Sequence, residues 1–495
     1  MVEERFRVSF AVSEVAPYAK VGGLADVAVA LPKALMKQGL DVRIFVPRYP
    51  GVPMDEAVIP DLMVPFAFGL RPAAVYRTRT HGLPVYSIDA PIYFDREGIY
   101  GPPGGEYPDN VERYAFFSRA VLEAIKRSGP PPHIIHCHDW QTGLIPLYLR
   151  TAYRNDPFYA STATLFTVHN LAYQGLFDPR LLPHLGFGPE VFQTDEGIEF
   201  HGMASALKAG LVAATGISTV SPRYAQEIQT PEFGCGLDGL LRARRDDVIG
   251  ILNGVDYEVW NPETDPYIAR NYGPDSLEGK KECKIDLLKR MNLPVDVARP
   301  LIGSISRLVE QKGFDLIEQA AERMLHMNTS YVVLGSGDPK LENFFRQLHR
   351  AFPDRVGVYF GFDDPLAHRI EAGTDLFLMP SRYEPCGLNQ MYSLKYGTVP
   401  LVRGTGGLDD TIRNFDPHSR SGNGFKFYEY SADRLLEKLQ EALSVYRQKD
   451  LWRTLMLNGM RTDFSWDRSA QQYVALYRRL WAKVSATQSS RSPGR

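Results

Sequence analysis

Apolar positions along this chain alternate between short runs of strand length and stripes of helical period. Residues 6–12 alternate and then turn apolar, residues 24, 27, 28, 31 and 35 form one helical face over 24–38, and residues 41–46 are strand-like again. That is a βαβ opening with a right-handed crossover, and Pro32 is expected to kink its helix or cost it ~3 kcal/mol. Further strands are predicted at 73–79, 84–89, 133–138, 163–168 and 216–221, with helices at 110–126 and 206–215. Residues 257–275, rich in Pro, Asn, Asp and aromatics, read as a connector, and 280–291 as a charged helix. From residue 300 the alternation resumes, with strands at 300–306, 331–334, 355–359, 375–379 and 399–402 and helices at 313–326, 339–350, 364–371 and 387–396. The pattern predicts an α/β protein of two doubly wound, Rossmann-like domains in tandem, at 1–250 and 251–465. A last helix, 466–484, carries Trp466, Tyr473, Leu476, Tyr477, Leu480 and Trp481. So much apolar area needs a partner, and the helix is expected to cross back onto the first domain. Residues 485–495 read as a frayed tail.

Composition narrows the classes of function. The 56 Lys and Arg against 58 Asp and Glu give a formal charge of −2, which points to neither nucleic acid nor an acidic membrane as partner. No apolar run reaches the ~18 residues that span a bilayer. The first strand pattern begins at once, with no secretory segment before it, so a cytoplasmic protein is expected. Cys137, Cys235, Cys283 and Cys386 are scattered without a CxxC, which favours reduced thiols and no structural zinc. His136 and His138 alternate and so share one side of a strand. No further ligand set completes a metal site around them, and no metal is expected.

The candidate chemistry gathers on strand-to-helix turns, where α/β sheets bind ligands. Lys20-Val-Gly-Gly-Leu-Ala-Asp26 puts two glycines and a mobile cation before a helix; Asp139 ends one strand and His169-Asn170 another. In the second half Arg307 and Lys312 straddle a loop closed by Gly313, a pair able to neutralise a diphosphate. Phe362 offers a ring to stack on a flat base. Glu384-Pro-Cys-Gly-Leu388 and Gly404-Thr-Gly-Gly-Leu-Asp-Asp410 each open a helix, Glu384 accepting from sugar hydroxyls and the Gly387–Leu388 backbone facing a phosphate. A sugar joined to a phosphate fits this set. An NAD-dependent dehydrogenase would require the GxGxxG fingerprint, which the chain lacks.

Together these loops resemble the bacterial glycogen synthase and plant starch synthase family. The Lys20–Asp26 stretch, Val168-His-Asn-Leu-Ala-Tyr-Gln-Gly175, Asn253-Gly-Val-Asp256, Arg307 with Lys312, and the block from Glu384 to Gly406-Gly407-Leu408 match its motifs in order, over roughly residues 6–484. The resemblance implies a GT-B fold, two Rossmann-like domains with an interdomain cleft. It implies retaining transfer of glucose from ADP-glucose to the non-reducing-end 4-hydroxyl of an α-1,4-glucan such as glycogen. Arg307 and Lys312 correspond to the diphosphate binders, Glu384 to a glutamate on the transferred glucose, and His169 to a histidine at the same sugar. Lys20, Gly22 and Gly23 correspond to a loop closing over the donor phosphates. Gly387, Leu388, Gly406 and Gly407 fall on the donor side, with Asn253 near the transferred sugar. Phe362 stands at the adenine-stacking position, usually Tyr in the family. Asp139, Asp26 and Asn170 fall on the acceptor or sugar side. No cofactor is implied, and the oligomeric state is left open. Retaining hydrolases use two carboxylates ~5 Å apart; no such pair stands out, so the expected route is front-face displacement, the leaving phosphate taking the acceptor's proton. The alternatives are a UDP-sugar transferase of the same fold and a catalytically silent glucan-binding protein. The joint presence of Glu384, Arg307 and Lys312 argues against the second.

Overall fold

Parallel strands buried on both faces form the centre of each half of the chain, which the computed structural model describes over residues 5–102 and 104–489. The first half contains β1 (Arg7–Ala11), β2 (Asp41–Pro47), β3 (Glu56–Phe66), β4 (Gly69–Thr80), β5 (Leu83–Asp89), β6 (Ile134–His138), β7 (Ala163–Val168), β8 (Leu176–Phe177), β9 (Glu199–Phe200), β10 (Met203–Ser205), β11 (Gly216–Thr219) and β12 (Val248–Gly250). Strands β8, β10 and β9 make a small antiparallel sheet; the others join in the order β12-β11-β7-β6-β1-β2-β5-β4-β3. Of these, β12 through β5 are parallel, and β4 and β3 extend the edge antiparallel.

The second half contains β13 (Leu301–Ile305), β14 (Ser330–Leu334), β15 (Val356–Tyr359), β16 (Leu376–Met379), β17 (Val399–Arg403) and β18 (Phe425–Phe427). They are all parallel, in the order β15-β14-β13-β16-β17-β18, which is the doubly wound order expected from the alternating pattern. Successive residues of β14 serve opposite layers: Tyr331 and Val333 pack with Phe314, Phe345 and Leu435, and Val332 and Leu334 with Leu287, Leu366 and Phe377. In both sheets the winding reverses beside the first strand, between β1 and β6 and between β13 and β16. Those two reversals position the residues of interest.

Several elements differ from the sequence-based expectation, and β18 and the helices Ala432–Tyr446 and Lys449–Met460 went unassigned. Strand β3 went unpredicted because Pro60 and Pro65 interrupt it; the prolines are tolerated because β3 is the sheet edge, with register shifts between Ala57 and Leu62. The helix Gly23–Lys37 contains the buried Pro32, as the stripe over 24–38 implies. The helix Asn389–Lys395 starts two residues late, because Gly387 takes φ +69° and Leu388 becomes the cap.

The described residues divide into two compact units, the first comprising residues up to Val220, Ala225–Gly254 and those from Trp466, the second Ser221–Tyr224 and Val255–Ser465. The last helix, Trp466–Ser489, packs on the helix Gly23–Lys37 and on β7, within the first unit. Leu480 lies against Gly216, where a Cβ would come within 2.7 Å of it. A Cβ on Gly254 would lie 2.5 Å from the Trp466 nitrogen, so the segment leaving the first unit and the one returning to it touch. The helix runs past residue 484; residues 490–495 of the predicted tail lie outside the described residues. The four cysteines are free thiols. No helix among the described residues is long and apolar enough to cross a membrane.

Candidate active site

In the second unit β13 leads into Arg307, a 3-10 turn at Glu310–Lys312, and Gly313, whose φ of +74° opens the helix Phe314–His326. A Cβ on Gly313 would lie 2.1 Å from the Pro380 carbonyl oxygen, so glycine lets this loop rest on the chain leaving β16. That approach brings Lys312 Nζ to 2.7 Å from Glu384 Oε2, with the Glu384 side chain 7% and the Lys312 side chain 20% exposed. Ser381 Oγ donates to the same oxygen at 3.2 Å. The Arg307 side chain is exposed and has no hydrogen bond or ion pair among the described residues. The loop thus presents one cation already paired to a desolvated carboxylate and one uncompensated guanidinium.

The glycines at 406 and 407 pack directly against the turn that carries Glu384. A Cβ on Gly406, with φ +46°, would lie 2.0 Å from the Glu384 carbonyl oxygen, and one on Gly407 2.0 Å from that of Cys386. The Gly407 N–H donates to the Glu384 carbonyl at 3.1 Å. These glycines therefore support the Glu384 turn from behind. Asn389 Nδ2 donates to the Ile305 carbonyl at 3.1 Å, which ties the helix after Leu388 to the end of β13. Phe362, beyond β15, is 79% exposed and presents a bare ring.

At the β1/β6 reversal the expected phosphate loop is also occupied from within. Glu14 Oε2 accepts from Val21 N at 2.8 Å and from Gly22 N at 2.9 Å, and Oε1 accepts from Tyr100 OH at 2.6 Å. Two of the amides that the Lys20–Gly23 stretch was expected to offer a phosphate are satisfied by a buried carboxylate instead. Glu14→Ala is expected to leave both amides without their partner and lower stability by about 1–3 kcal/mol, read by urea unfolding; an unchanged midpoint would mean that the carboxylate does not hold the loop. Lys20 Nζ pairs with Asp26 Oδ1 at 2.7 Å, both side chains 39% exposed, a contact weak enough to exchange for a ligand.

Asp139, with φ +54°, accepts from His169 N at 2.7 Å through Oδ1 and also bonds the Asn170 amide. Burial pushes its carboxyl up to about 7 despite those bonds. It shapes the loop that carries His169 through the backbone. Asn170 Oδ1 accepts from Ala172 N at 3.1 Å, which engages it in its own turn. Burial lowers the His169 imidazole to about 4, and its Nε2 lies 2.9 Å from His138 Nδ1. His136 is held by Tyr477 OH at 2.8 Å and Thr167 Oγ1 at 2.6 Å. The two strand histidines thus bond protein groups, and among the described residues no group of three or more His, Cys, Asp or Glu is placed to hold a metal. Asn253 is buried, and its Oδ1 has no partner among the described residues.

The Asp139 environment carries a pH signature. Folded Asp139 keeps its proton to about pH 7, whereas an unfolded aspartate loses it near ~4. The folded state binds more protons between those values, so Asp139 makes stability fall as pH rises through that window. Asp139→Asn is expected to remove this slope, gaining stability relative to the native chain between pH 4.5 and pH 8 in urea titrations. A gap that does not change with pH would contradict the raised carboxyl.

Comparison with known proteins identifies the family. Residues 7–243 match the starch synthase catalytic domain model and residues 288–453 the group 1 glycosyl transferase model. The glycogen synthase of Koribacter versatilis is 48% identical over 473 residues, covering 95% of this chain and 97% of its own. That of Thermotoga maritima is 46% identical over 489 residues, covering 97% and 99%. Among solved structures, the catalytic domain of starch synthase IV from Arabidopsis thaliana, bound to ADP and acarbose, superposes with a TM-score of 0.89 at 35% identity, covering 97% of this chain and all of its own. The chain is therefore a glycosyltransferase of the starch synthase and glycogen synthase family, built on that family's GT-B fold of two Rossmann-like domains.

Proposed function

We propose that this chain elongates an α-1,4-glucan by moving glucose from ADP-glucose to the non-reducing-end 4-hydroxyl, with retention of configuration. The observation that carries this reading is the Lys312–Glu384 pair at the β13/β16 reversal, with the uncompensated Arg307 on the same loop. Arg307 and Lys312 meet the negative charge that grows on the departing diphosphate, where fixed cations count most. Glu384 has Oε2 committed to Lys312 and Ser381, while Oε1 is without a partner among the described residues and open to a sugar hydroxyl. The bond from glucose C1 to the phosphate oxygen breaks, a bond from C1 to the acceptor oxygen forms on the same face, and the hydroxyl proton passes to the phosphate.

In this reading Phe362 stacks on the base, Gly387 and Leu388 face the phosphates, and Lys20 exchanges Asp26 for donor phosphate. His169 and Asn253 serve the transferred sugar. Asp139 and Asn170 act by shaping the His169 loop. No metal or organic cofactor takes part, and the enzyme works in the cytoplasm on small donor and glucan. The related structure bound to ADP and acarbose supports the adenine nucleotide. The test is glucose incorporation into glycogen from ADP-glucose and UDP-glucose supplied separately, with the anomeric proton signal of the new linkage read by NMR. Faster incorporation from ADP-glucose into α linkages is expected. A preference for UDP-glucose would overturn the donor, and a β linkage would overturn retention.

A further inference from the structure

We propose that His138 fixes the proton of His169, so that His169 is an uncharged ring carrying its hydrogen on Nδ1. The structural argument is independent of the reaction; its catalytic consequence rests on the reading of His169 as a sugar-side residue. Burial holds both rings in the neutral form. They meet through His138 Nδ1 and His169 Nε2 at 2.9 Å, so one hydrogen lies between two nitrogens and belongs to one ring or the other.

The two arrangements differ at the far nitrogens. If His169 donated, His138 would carry its hydrogen on Nε2. That atom is buried and has no hydrogen-bond partner among the described residues. The His138 ring lies against Phe10 and His136, at centroid separations of 4.1 and 4.0 Å, and His136 has both nitrogens engaged by Tyr477 and Thr167. A buried N–H without an acceptor is the rarer and costlier orphan. If His138 donates, its Nε2 keeps only a lone pair and no donor is stranded. His169 then holds its hydrogen on Nδ1, a nitrogen with no partner among the described residues and not among the buried orphans.

The neighbouring bond thus sets which nitrogen is protonated. His169 presents a donor to a sugar oxygen, where the opposite tautomer would present an acceptor. His138 is a positioning residue, acting through His169.

The test is a long-range proton–nitrogen correlation spectrum of the full chain labelled with ¹⁵N-histidine, at pH 7.5 and without substrate, with His169 assigned by its disappearance in His169→Asn. A protonated Nδ1 and a bare Nε2 are expected for His169. A proton on His169 Nε2, or a doubly protonated ring, would overturn the proposal. His138→Asn places an amide nitrogen near the original Nδ1 and is expected to preserve the pattern. His138→Leu is expected to mix the tautomers and lower kcat about tenfold or more, with KM changed less. A His138→Leu enzyme with native kcat and mixed tautomers would remove the catalytic consequence. The native spectrum decides the tautomer even if that variant does not fold. Because the spectrum needs no substrate, failure of glucan synthesis would refute the proposed reaction and leave this assignment standing.

Discussion

Lys312→Met and Glu384→Gln are expected to abolish glucosyl transfer alike but to differ sharply in stability. Lys312→Met leaves Glu384, whose side chain is 7% exposed, without its cation. Removing one member of a buried pair costs about 3 kcal/mol or more, so the urea midpoint should drop clearly. Glu384→Gln removes the charge, keeps an amide for Ser381 to bond, and leaves Lys312, one-fifth exposed, to find water. Its stability change should stay under about 1 kcal/mol. Both variants should lose at least ~100-fold in initial rate, because each disturbs the charge arrangement at the departing diphosphate or the contact to the transferred sugar. Equal midpoints for the two variants would show that the pair is not desolvated as described.

Gly407→Ala should damage both fold and transfer, although glycine 407 bears no side chain to lose. Its Cβ would lie 2.0 Å from the Cys386 carbonyl oxygen and 2.6 Å from Cys386 Cα. The three nearest atoms are all Cys386 backbone, so relief requires moving the turn that carries Glu384. Overpacking of this kind costs about 1–3 kcal/mol or more, and a shift of ~1 Å at a catalytic group costs on the order of 100-fold in rate. Gly404→Ala is the control: its Cβ would meet the Tyr428 ring at 2.6 Å, and Tyr428 is a 57% exposed side chain whose hydroxyl makes one 3.2 Å bond, to Asp409, so the ring can give way more cheaply than backbone. Thermal melts and incorporation rates should place Gly404→Ala near the native chain and Gly407→Ala far below it. Equal losses would mean that the close approach behind Glu384 is not the cause.

The residues that were legible in the sequence share one property: they end strands in an alternating α/β pattern. Arg307, Lys312, Glu384, Asp139 and His169 all occur at such ends, and the structure pairs Lys312 with Glu384 and joins Asp139 to the His169 backbone. What the sequence concealed is which loop groups are already engaged. Glu14 also ends a strand, in Ser13-Glu14, yet nothing local shows that its carboxylate returns to the amides seven and eight residues on. Gly406 and Gly407 read as a ligand-approach signal because a glycine that makes room for backbone looks the same in sequence as one that makes room for phosphate. For His138, alternation revealed a face shared with His136 but not that its ring nitrogen meets His169 at the end of the neighbouring strand. Strand β3 was hidden by prolines that only an edge position allows.

The return of the helix Trp466–Ser489 to the first unit has a consequence for synthesis. The second unit is almost continuous in the chain, Val255–Ser465, and can form once that stretch has left the ribosome. The first unit cannot: its helix Gly23–Lys37 and strand β7 await a cover made last. Domains that form in order of synthesis expose such surfaces for as long as translation takes, here the time needed to add more than two hundred residues. The unit synthesised first is thus the one completed last, and truncation ahead of Trp466 should yield a soluble second unit beside an aggregating first one.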